Sequence, residues 1–387
     1  MKPINVEDYR KLAQRRLPTR VFDYLEGGSE DEAALQFNKD ILRSIRFSPR
    51  RLRDVSNRDL TTTLWGQPIS APLIIAPTGL NELFWPKGDI ALARASAKEG
   101  IPFVLSTASN ISIEEMAKQC DGNLWFQLYV THRILAKSLV KRALAAGYST
   151  LILTVDVPIN GNRERDRRHD FSWPVRYTPK AILDALQHPR WLLDWIRHNR
   201  PQLANFVGIN TDEASTRIAL ANRQMDSSFD WDDLALLRDL WPHRLLVKGI
   251  THPDDAERCV ACGADGIILS NHGGRQLDSC LSPVEILAAT AAKISQPILV
   301  DSGFRRGCEV VKAVALGARA VLLGRATLYG LAAAGGAGVA DVLRILRREI
   351  DVTLAQIGCA SVSHLSSDYL VSESVAVKSS LGAQPCY

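Results

Sequence analysis

No window of this sequence reads GxGxxG, so the glycine fingerprint that opens a dinucleotide-binding doubly wound sheet is missing. Long apolar runs are missing too. The longest stretch without charge, 60–81, holds Pro68, Pro72 and Pro77 among several threonines, which excludes a spanning helix there. We read no transmembrane segment, a reading that leaves peripheral attachment open. The polar, charged stretch Met1–Arg10 is not read as a secretory signal. Charge of one sign is scarce. Lys and Arg number 47 against 42 Asp and Glu, and a net +5 over 387 residues does not argue for a nucleic-acid partner. The seven cysteines are odd in number and irregularly spaced, which points to reduced thiols in a cytosolic compartment. Cys259 and Cys262 have CxxC spacing. With no second pair and no supporting His, they read as two helical thiols before Gly263, and no metal site is expected.

What is present is a chain able to build a large core, with 46% hydrophobic and 23% charged residues. From about residue 70, apolar β-type runs alternate with helical stretches. Eight strands are expected at 72–76, 102–106, 124–130, 150–156, 245–249, 266–270, 297–301 and 320–324. Continuous apolar runs of this kind suit parallel strands buried on both faces. Helices are expected at 89–99, 132–146, 253–262, 283–294 and 307–316. Eight such units predict an α/β fold, a closed (β/α)8 barrel, with an open doubly wound sheet as the alternative. The glycine-rich 335–338 follows no strand and reads as a loop.

Two segments break the rhythm. Residues 1–70, with helical patterns at 6–16 and 21–26, read as an N-terminal extension packed on the barrel. The connection after the fourth strand is far longer than a normal βα link, and such connections are usually functional. The expected organisation is therefore an extension 1–70, a barrel 71–360 with an insertion 160–225, and a tail 361–387. The Ser-rich stretch from about 371 is expected to be disordered.

Chemistry in such a barrel sits at the C-terminal strand ends. Strand 1 is followed by Pro77, Thr78 and Gly79, and strand 2 by Ser106 and Ala108. Strand 3 carries Gln127 and Tyr129; strand 4 ends in Thr154 and Asp156, with Arg163 beyond. Lys248 ends strand 5, and strand 6 runs into Ser270, His272 and Arg275. Strand 7 leads to Asp301, Gly303 and Arg305, and strand 8 to Gly324 and Arg325. Glycine beside a basic residue after strands 7 and 8 is a pattern for holding phosphate. A His can take a proton near neutral pH, and Arg can clamp a carboxylate. Tyr24 and Tyr129 can hydrogen-bond oxygens of a ligand. One base with two arginines suits proton abstraction next to a carboxylate.

At Ser270-Asn271-His272-Gly273-Gly274-Arg275-Gln276-Leu277-Asp278 the chain resembles the FMN-dependent 2-hydroxy acid dehydrogenases and oxidases. The stretches 23–28, 125–129, 154–156 and 301–307 support this, in the same order, over about 5–370. Within the family the likeness is greatest to the bacterial mandelate-oxidising dehydrogenases, through 106–110 and 160–166. Ala108 stands where glycolate oxidases carry a bulky Trp, and a small residue there would leave room for a phenyl ring. Gly79 matches the same branch, where relatives often have Ala.

The resemblance implies roles. His272 would be the base and Asp156 its charge partner. Arg163 and Arg275 would bind substrate carboxylate and hydroxyl, with Tyr24 and Tyr129 hydrogen-bonding substrate. FMN would be held by Pro77, Thr78, Gly79, Ser106, Gln127, Thr154, Lys248, Ser270, Asp301, Gly303, Arg305, Gly324 and Arg325. Lys248 would stand near the flavin N1–C2=O edge. The implied reaction is (S)-mandelate to benzoylformate; the alternatives are L-lactate to pyruvate and an oxygen-using oxidase. A barrel that only binds or isomerises its ligand is a further alternative.

The insertion carries a charge pattern of its own. Residues 163–200 hold nine Lys/Arg against five Asp/Glu, with Trp173, Trp191 and Trp195. Ile182, Leu183, Leu186, Leu192, Leu193 and Ile196 add an apolar face. This composition suits an interfacial membrane contact over 173–208, or else a lid or subunit contact. The resemblance favours the cytoplasmic face of a bacterial inner membrane, a membrane quinone as electron acceptor, and a homotetramer.

Overall fold

The structure, a computed structural model, describes residues 2–169, 171, 178–198, 201–206 and 226–371. All eight expected strands are present: β1 (Leu73–Ile75), β2 (Phe103–Ser106), β3 (Leu124–Leu128), β4 (Thr150–Thr154), β5 (Arg244–Ile250), β6 (Gly266–Leu269), β7 (Ile298–Val300) and β8 (Ala320–Leu323). They form a closed barrel in which β8 pairs in parallel with β1.

The period-two alternation of side chains divides the apolar runs between two cores. Ile74, Val104, Trp125, Ile152, Leu246 and Ile268 point inward and fill the barrel. Their neighbours, such as Phe103, Leu151 and Ile267, face the helices. Each buried side chain of this size contributes about 1.5–3 kcal/mol. A short antiparallel hairpin, 62–64 with 67–69, adds Leu64 and Ile69 to the inner layer. Its Trp65 meets Trp125 edge-on at 6.1 Å. The hairpin therefore stoppers one end of the barrel, and the site lies at the other.

Before the barrel come α1 (Val6–Arg16), α2 (Thr19–Glu26) and α3 (Ala33–Ser44). Asn5 caps α1 by accepting the Asp8 N–H at 2.8 Å. The third helix has no counterpart in the sequence reading. It starts at Glu32 with φ +64° and no side-chain cap, so the usual start signal is absent. The turn before α3 reaches over the barrel mouth: Ser29 N–H donates to the Gly274 carbonyl at 2.9 Å. Asn38 and Asn271 exchange side-chain hydrogen bonds at 3.0 and 2.9 Å. These contacts bring Tyr24 to the strand ends.

Around the barrel stand α4 (Gly88–Lys98), α5 (Ile113–Gln119) and α6 (Arg133–Ala145). The described α-helices of the insertion are α7 (Glu164–Arg168), α8 (Pro179–Leu186) and α9 (Pro189–Arg197), followed by a 3-10 turn at Ala204–Phe206. After it come α10 (Trp231–Leu240), α11 (Pro253–Ala261), α12 (Pro283–Lys293), α13 (Gly307–Ala315) and α14 (Arg325–Ile357). Cys259 lies buried in α11, and its thiol is pushed up to about 12, first by burial. The run 325–357 is two helices that meet at a break. Ala334 (φ −151°) and Gly335 are not helical, so the chain turns where the glycines at 335–338 suggested a loop, and 336–338 already belong to the second helix. Gly335 breaks the helix with φ +60°, and a Cβ there would stand 2.5 Å from Trp85. The backbones of Gly330 and Gly338 touch across the break, so the second half of α14 turns sharply away from the first. Taken together its two halves are long and apolar enough to cross a membrane, yet the break at 334–335 divides them and most of their length is buried, packed against α1, α4 and α13.

The apolar face expected on the insertion is divided. Ile182, Leu183, Leu186, Leu193 and Ile196 are exposed. Trp191 is buried instead; it stacks on Trp195 at 5.0 Å and donates its indole N–H to the Leu83 carbonyl at 2.8 Å. Leu192 and Trp195 are likewise packed against the core. An indole N–H needs an acceptor when its ring is packed away, and the Leu83 carbonyl is that acceptor. Trp173 and the Ser-rich tail after Val371 lie outside the described residues.

Candidate active site

A pocket of about 1170 Å³, its open mouth included, lies at the C-terminal strand ends. On one side of it are His272 and Asp156. The His272 Nδ1 is 2.9 Å from Asp156 Oδ1, and its Nε2 is 3.3 Å from the Tyr129 hydroxyl. The close approach of Asp156 requires glycine at 249: its φ is +105°, and a Cβ there would stand 2.6 Å from the Asp156 Cβ. His272 itself has φ +58°, an uncommon conformation for a residue with a side chain. Ser270 Oγ steadies it by accepting the His272 backbone N–H at 3.0 Å. Burial would raise the Asp156 carboxyl. The charges of His272 and Lys248 and the hydrogen bond from His272 outweigh it, so the group sits below its ordinary range.

The opposite side is cationic. Arg163 and Arg275 lie over the Tyr24 ring, 5.5 and 5.2 Å from its centroid. Arg163 pairs with Asp166 at 3.2 Å, and Arg275 donates to the Gly27 carbonyl at 2.9 Å. Burial, then the like charges of Arg163 and Arg325, push Arg275 down to about 9. A guanidinium in that position gains strongly from an incoming carboxylate, which offsets both costs.

The deep end has another chemistry. Lys248 Nζ lies 3.1 Å from Asp301 Oδ2 and donates to Ser270 Oγ at 2.7 Å. Burial would lower its ammonium, but Asp301 and Asp156 hold it above the usual lysine value. Ser106 Oγ donates to Gln127 Oε1 at 3.0 Å, and Gln127 Nε2 donates to Thr154 Oγ1 at 3.0 Å. Thr78 Oγ1 is buried with no protein partner. Next to this polar row, Gly303 and Arg305 face Gly324, the N-cap of α14, where no side chain caps the helix. Arg305 lies over the Tyr329 ring at 5.3 Å, and the Tyr329 hydroxyl donates to Glu26 at 2.5 Å. An open helix N-terminus beside an arginine fits phosphate. The row of amide and hydroxyl groups, the orphaned Thr78 hydroxyl and the fixed ammonium fit the polar edge of a flat ring. The residues present thus suit a flavin mononucleotide.

Most expected residues line this pocket: Tyr24, Tyr129, Arg163, His272 and Arg275 on the open side. Pro77, Thr78, Gly79, Ser106, Ala108 and Lys248 follow, then Asp301, Gly303, Arg305, Gly324 and Arg325. Asp156, Gln127 and Ser270 are not in the lining but stand behind it, bonded to residues that are, and Thr154 stands one step further back, bonded to Gln127. Arg325 lines the pocket and also has protein partners. Its guanidinium donates to the carbonyls of Leu25, Gly27 and Gly273, tying the N-terminal turn to the His272 loop.

The sequence reading missed Phe84, Val157, Asn160 and Gln276 in the lining, and Leu25, Phe304 and Leu328. Val157 and Asn160 follow Asp156 closely, and Gln276 follows Arg275, so proximity was an available signal. Phe84 had none; it reaches the pocket through its stack on Tyr24, 6.2 Å between centroids.

A family model described as FMN-dependent dehydrogenase matches residues 13–372. (S)-mandelate dehydrogenase of Pseudomonas putida is 60% identical over 371 residues, covering 96% of this chain and 94% of its own. An L-lactate dehydrogenase of Pectobacterium atrosepticum is 41% identical over 370 residues, covering 94% and 96%. A crystal structure of the monotopic membrane protein (S)-mandelate dehydrogenase superposes with a TM-score of 0.93 at 60% identity, covering 96% of this chain and 100% of that one. With its closed parallel barrel and a pocket suited to a flavin, the chain belongs to the FMN-dependent dehydrogenases.

Proposed function

We propose that this enzyme oxidises (S)-mandelate to benzoylformate. The observation that carries the reading is the pairing of an Asp156-backed His272 with the Arg163–Arg275 pair across one pocket whose wall is small at Ala108. Arg163 and Arg275 bind the substrate carboxylate, and Tyr24 holds both guanidinium groups in place through its ring. The 2-hydroxyl lies toward His272 Nε2 and the Tyr129 hydroxyl. Nε2 takes a proton from the substrate, and Asp156 stabilises the imidazolium at Nδ1. Bound FMN supplies the two-electron acceptor. Lys248 holds a fixed positive charge at the deep end; Thr78 and Ser106 would hold the ring edge, with Gln127 and Thr154 positioning Ser106 from behind. Gly303, Arg305 and the N-terminus of α14 would hold the phosphate, with Asp301 and Ser270 positioning Lys248. Phe84 and Val157 exclude water from the substrate side.

The enzyme sits on the cytoplasmic face of the inner membrane as a homotetramer and passes electrons to a membrane quinone. The exposed aliphatic ridge of α8 and α9 supports the membrane contact, since such a ridge on amphipathic helices suits a lipid headgroup boundary. In this reading the segment 173–208 belongs to an insertion 160–225 of the barrel 71–360, flanked by an extension 1–70 and a tail 361–387.

Anaerobic bleaching of the flavin spectrum tests the substrate. Fast bleaching by (S)-mandelate with slow bleaching by L-lactate supports the reading. The opposite order moves the enzyme to lactate, and a purified protein without flavin overturns both. Deleting 173–208 tests the attachment: a soluble enzyme that still bleaches is expected, and an unchanged membrane fraction refutes it.

A further inference from the structure

A second cavity lies beneath α8 and α9, separate from the active-site pocket. It spans about 620 Å³ when its open mouth is included. We propose that it binds the ring of an isoprenoid benzoquinone, the oxidant that removes the electrons from the enzyme. This rests on the quinone-linked reading above and names the site that reading lacks.

Its walls suit a flat apolar ring. Trp191 and Trp195 are stacked nearly parallel, 20° between planes, and both line it. Val21 and Leu83 contribute aliphatic surface. Among the described lining residues one is charged, Arg20, which is only 8% exposed. A buried guanidinium in an apolar chamber matches a quinone carbonyl oxygen, which accepts a hydrogen bond and gains electron density on reduction.

Its position suits electron transfer. Leu83 lines this cavity and Phe84 lines the active-site pocket, so two consecutive residues separate the chambers. Phe171 lines the cavity and stacks on Tyr24 at 4.4 Å, and Tyr24 lines the active-site pocket. Arg20 and Tyr24 are one turn apart on α2, about 6 Å along the axis, so the same helix serves both chambers.

Its mouth suits a lipid-borne ligand. Ile182 and Leu186 line the cavity and are also 50% and 59% exposed, so its rim is continuous with the aliphatic ridge. A ring can enter there while its isoprenoid tail stays in lipid. The redox balance closes. The hydroxy acid gives up one C–H and one O–H bond, two electrons and two protons in all, and becomes a keto acid. The quinone takes two electrons and two protons, forms two O–H bonds and leaves as the quinol.

The test uses the holoenzyme and a benzoquinone with a short alkyl tail. Ala185 lines the cavity, and Ala185→Trp fills it. We expect kcat/KM for the quinone to fall at least about ten-fold, with flavin bleaching by the hydroxy acid and turnover with ferricyanide unchanged. Ile182→Trp narrows the mouth from an exposed position and is expected to do the same if Ala185→Trp fails to fold. Photolabelling by an azido-benzoquinone reports binding without turnover, and its label is expected on peptides of α2, α8 or α9. A wild-type enzyme that bleaches but never reduces quinone overturns the quinone-linked function itself. Normal quinone reduction by both Trp variants, with the label elsewhere, overturns the cavity alone. So does a label displaced by phospholipid with no change in quinone KM, which makes the chamber an acyl-chain site.

Discussion

Asp156 accepts the Nδ1 hydrogen of His272 at 2.9 Å, and this contact decides which ring nitrogen faces the pocket. Nε2 is left toward the Tyr129 hydroxyl, on the side where substrate enters. The pair is spatial: 116 residues separate the two along the chain.

Replacing Asp156 by Asn keeps the shape but removes the charge that steadies the imidazolium. Flavin bleaching in rapid mixing is expected to slow by about 10²–10⁴-fold, the usual range for a disabled acid–base group. Substrate KM is expected to move little, because Asp156 does not line the pocket. A rise in KM with an unchanged bleaching rate would contradict the assignment.

Arg275→Lys keeps a positive charge but loses the planar fork. Loss of one charge-assisted contact corresponds to about 1.5–3 kcal/mol, so kcat/KM is expected to drop about 10–100-fold. Steady-state kinetics with an artificial acceptor checks this. The same variant loses the hydrogen bond to the Gly27 carbonyl, so a thermal melt is the control for fold.

Ala108 is 5% exposed and faces Gly79, where an added methyl would stand 2.9 Å from its Cβ. A larger side chain at 108 therefore has only the pocket to enter. Ala108→Trp is expected to lower kcat/KM for mandelate by about 10–200-fold, the range for a change in an apolar pocket, and to affect lactate less. Equal losses on both substrates would remove Ala108 from the specificity wall.

A carboxyl pair at the base of the insertion sets a pH dependence of stability. Burial, then the negative charge of Asp89, raises Glu82 from 4.5 to about 7. Burial raises Asp89 from 3.8 to about 6, against hydrogen bonds from Asn81, Ser109 and the Asn110 N–H. With both pKa values higher folded than unfolded, the folded state binds more protons in the window between them. Stability from this pair is therefore greatest at the acid end and falls as pH rises through about 6–7. In Glu82→Gln, melting temperatures between about pH 5 and about pH 8 are expected to fall less steeply than in the wild type. Parallel curves would show that Glu82 is not the responsible group.

The sequence determined the strands and the chemistry at their ends. Parallel strands buried on both faces must be apolar throughout, so 150–154 and 266–269 announced themselves without a structure. The run from Ser270 to Asp278 carries its residue types in a local order that a fold cannot scramble. Where the backbone alone decides, the reading was weaker. Gly335 to Gly338 read as a loop, and only the structure shows that the break is confined to 334–335, where Gly335 packs on Trp85 between two helices. Tertiary structure decided everything that depends on distance. It placed Arg163 and Arg275 over one tyrosine and used Arg325 as a clip on backbone carbonyls. It turned Trp191 inward while leaving Ile182 and Leu186 outside. Composition states how many apolar side chains an amphipathic helix carries. Which of them meet protein depends on the surface the helix lands on, here formed by α2 and the 83–85 turn, and that surface is made by residues far away in the chain.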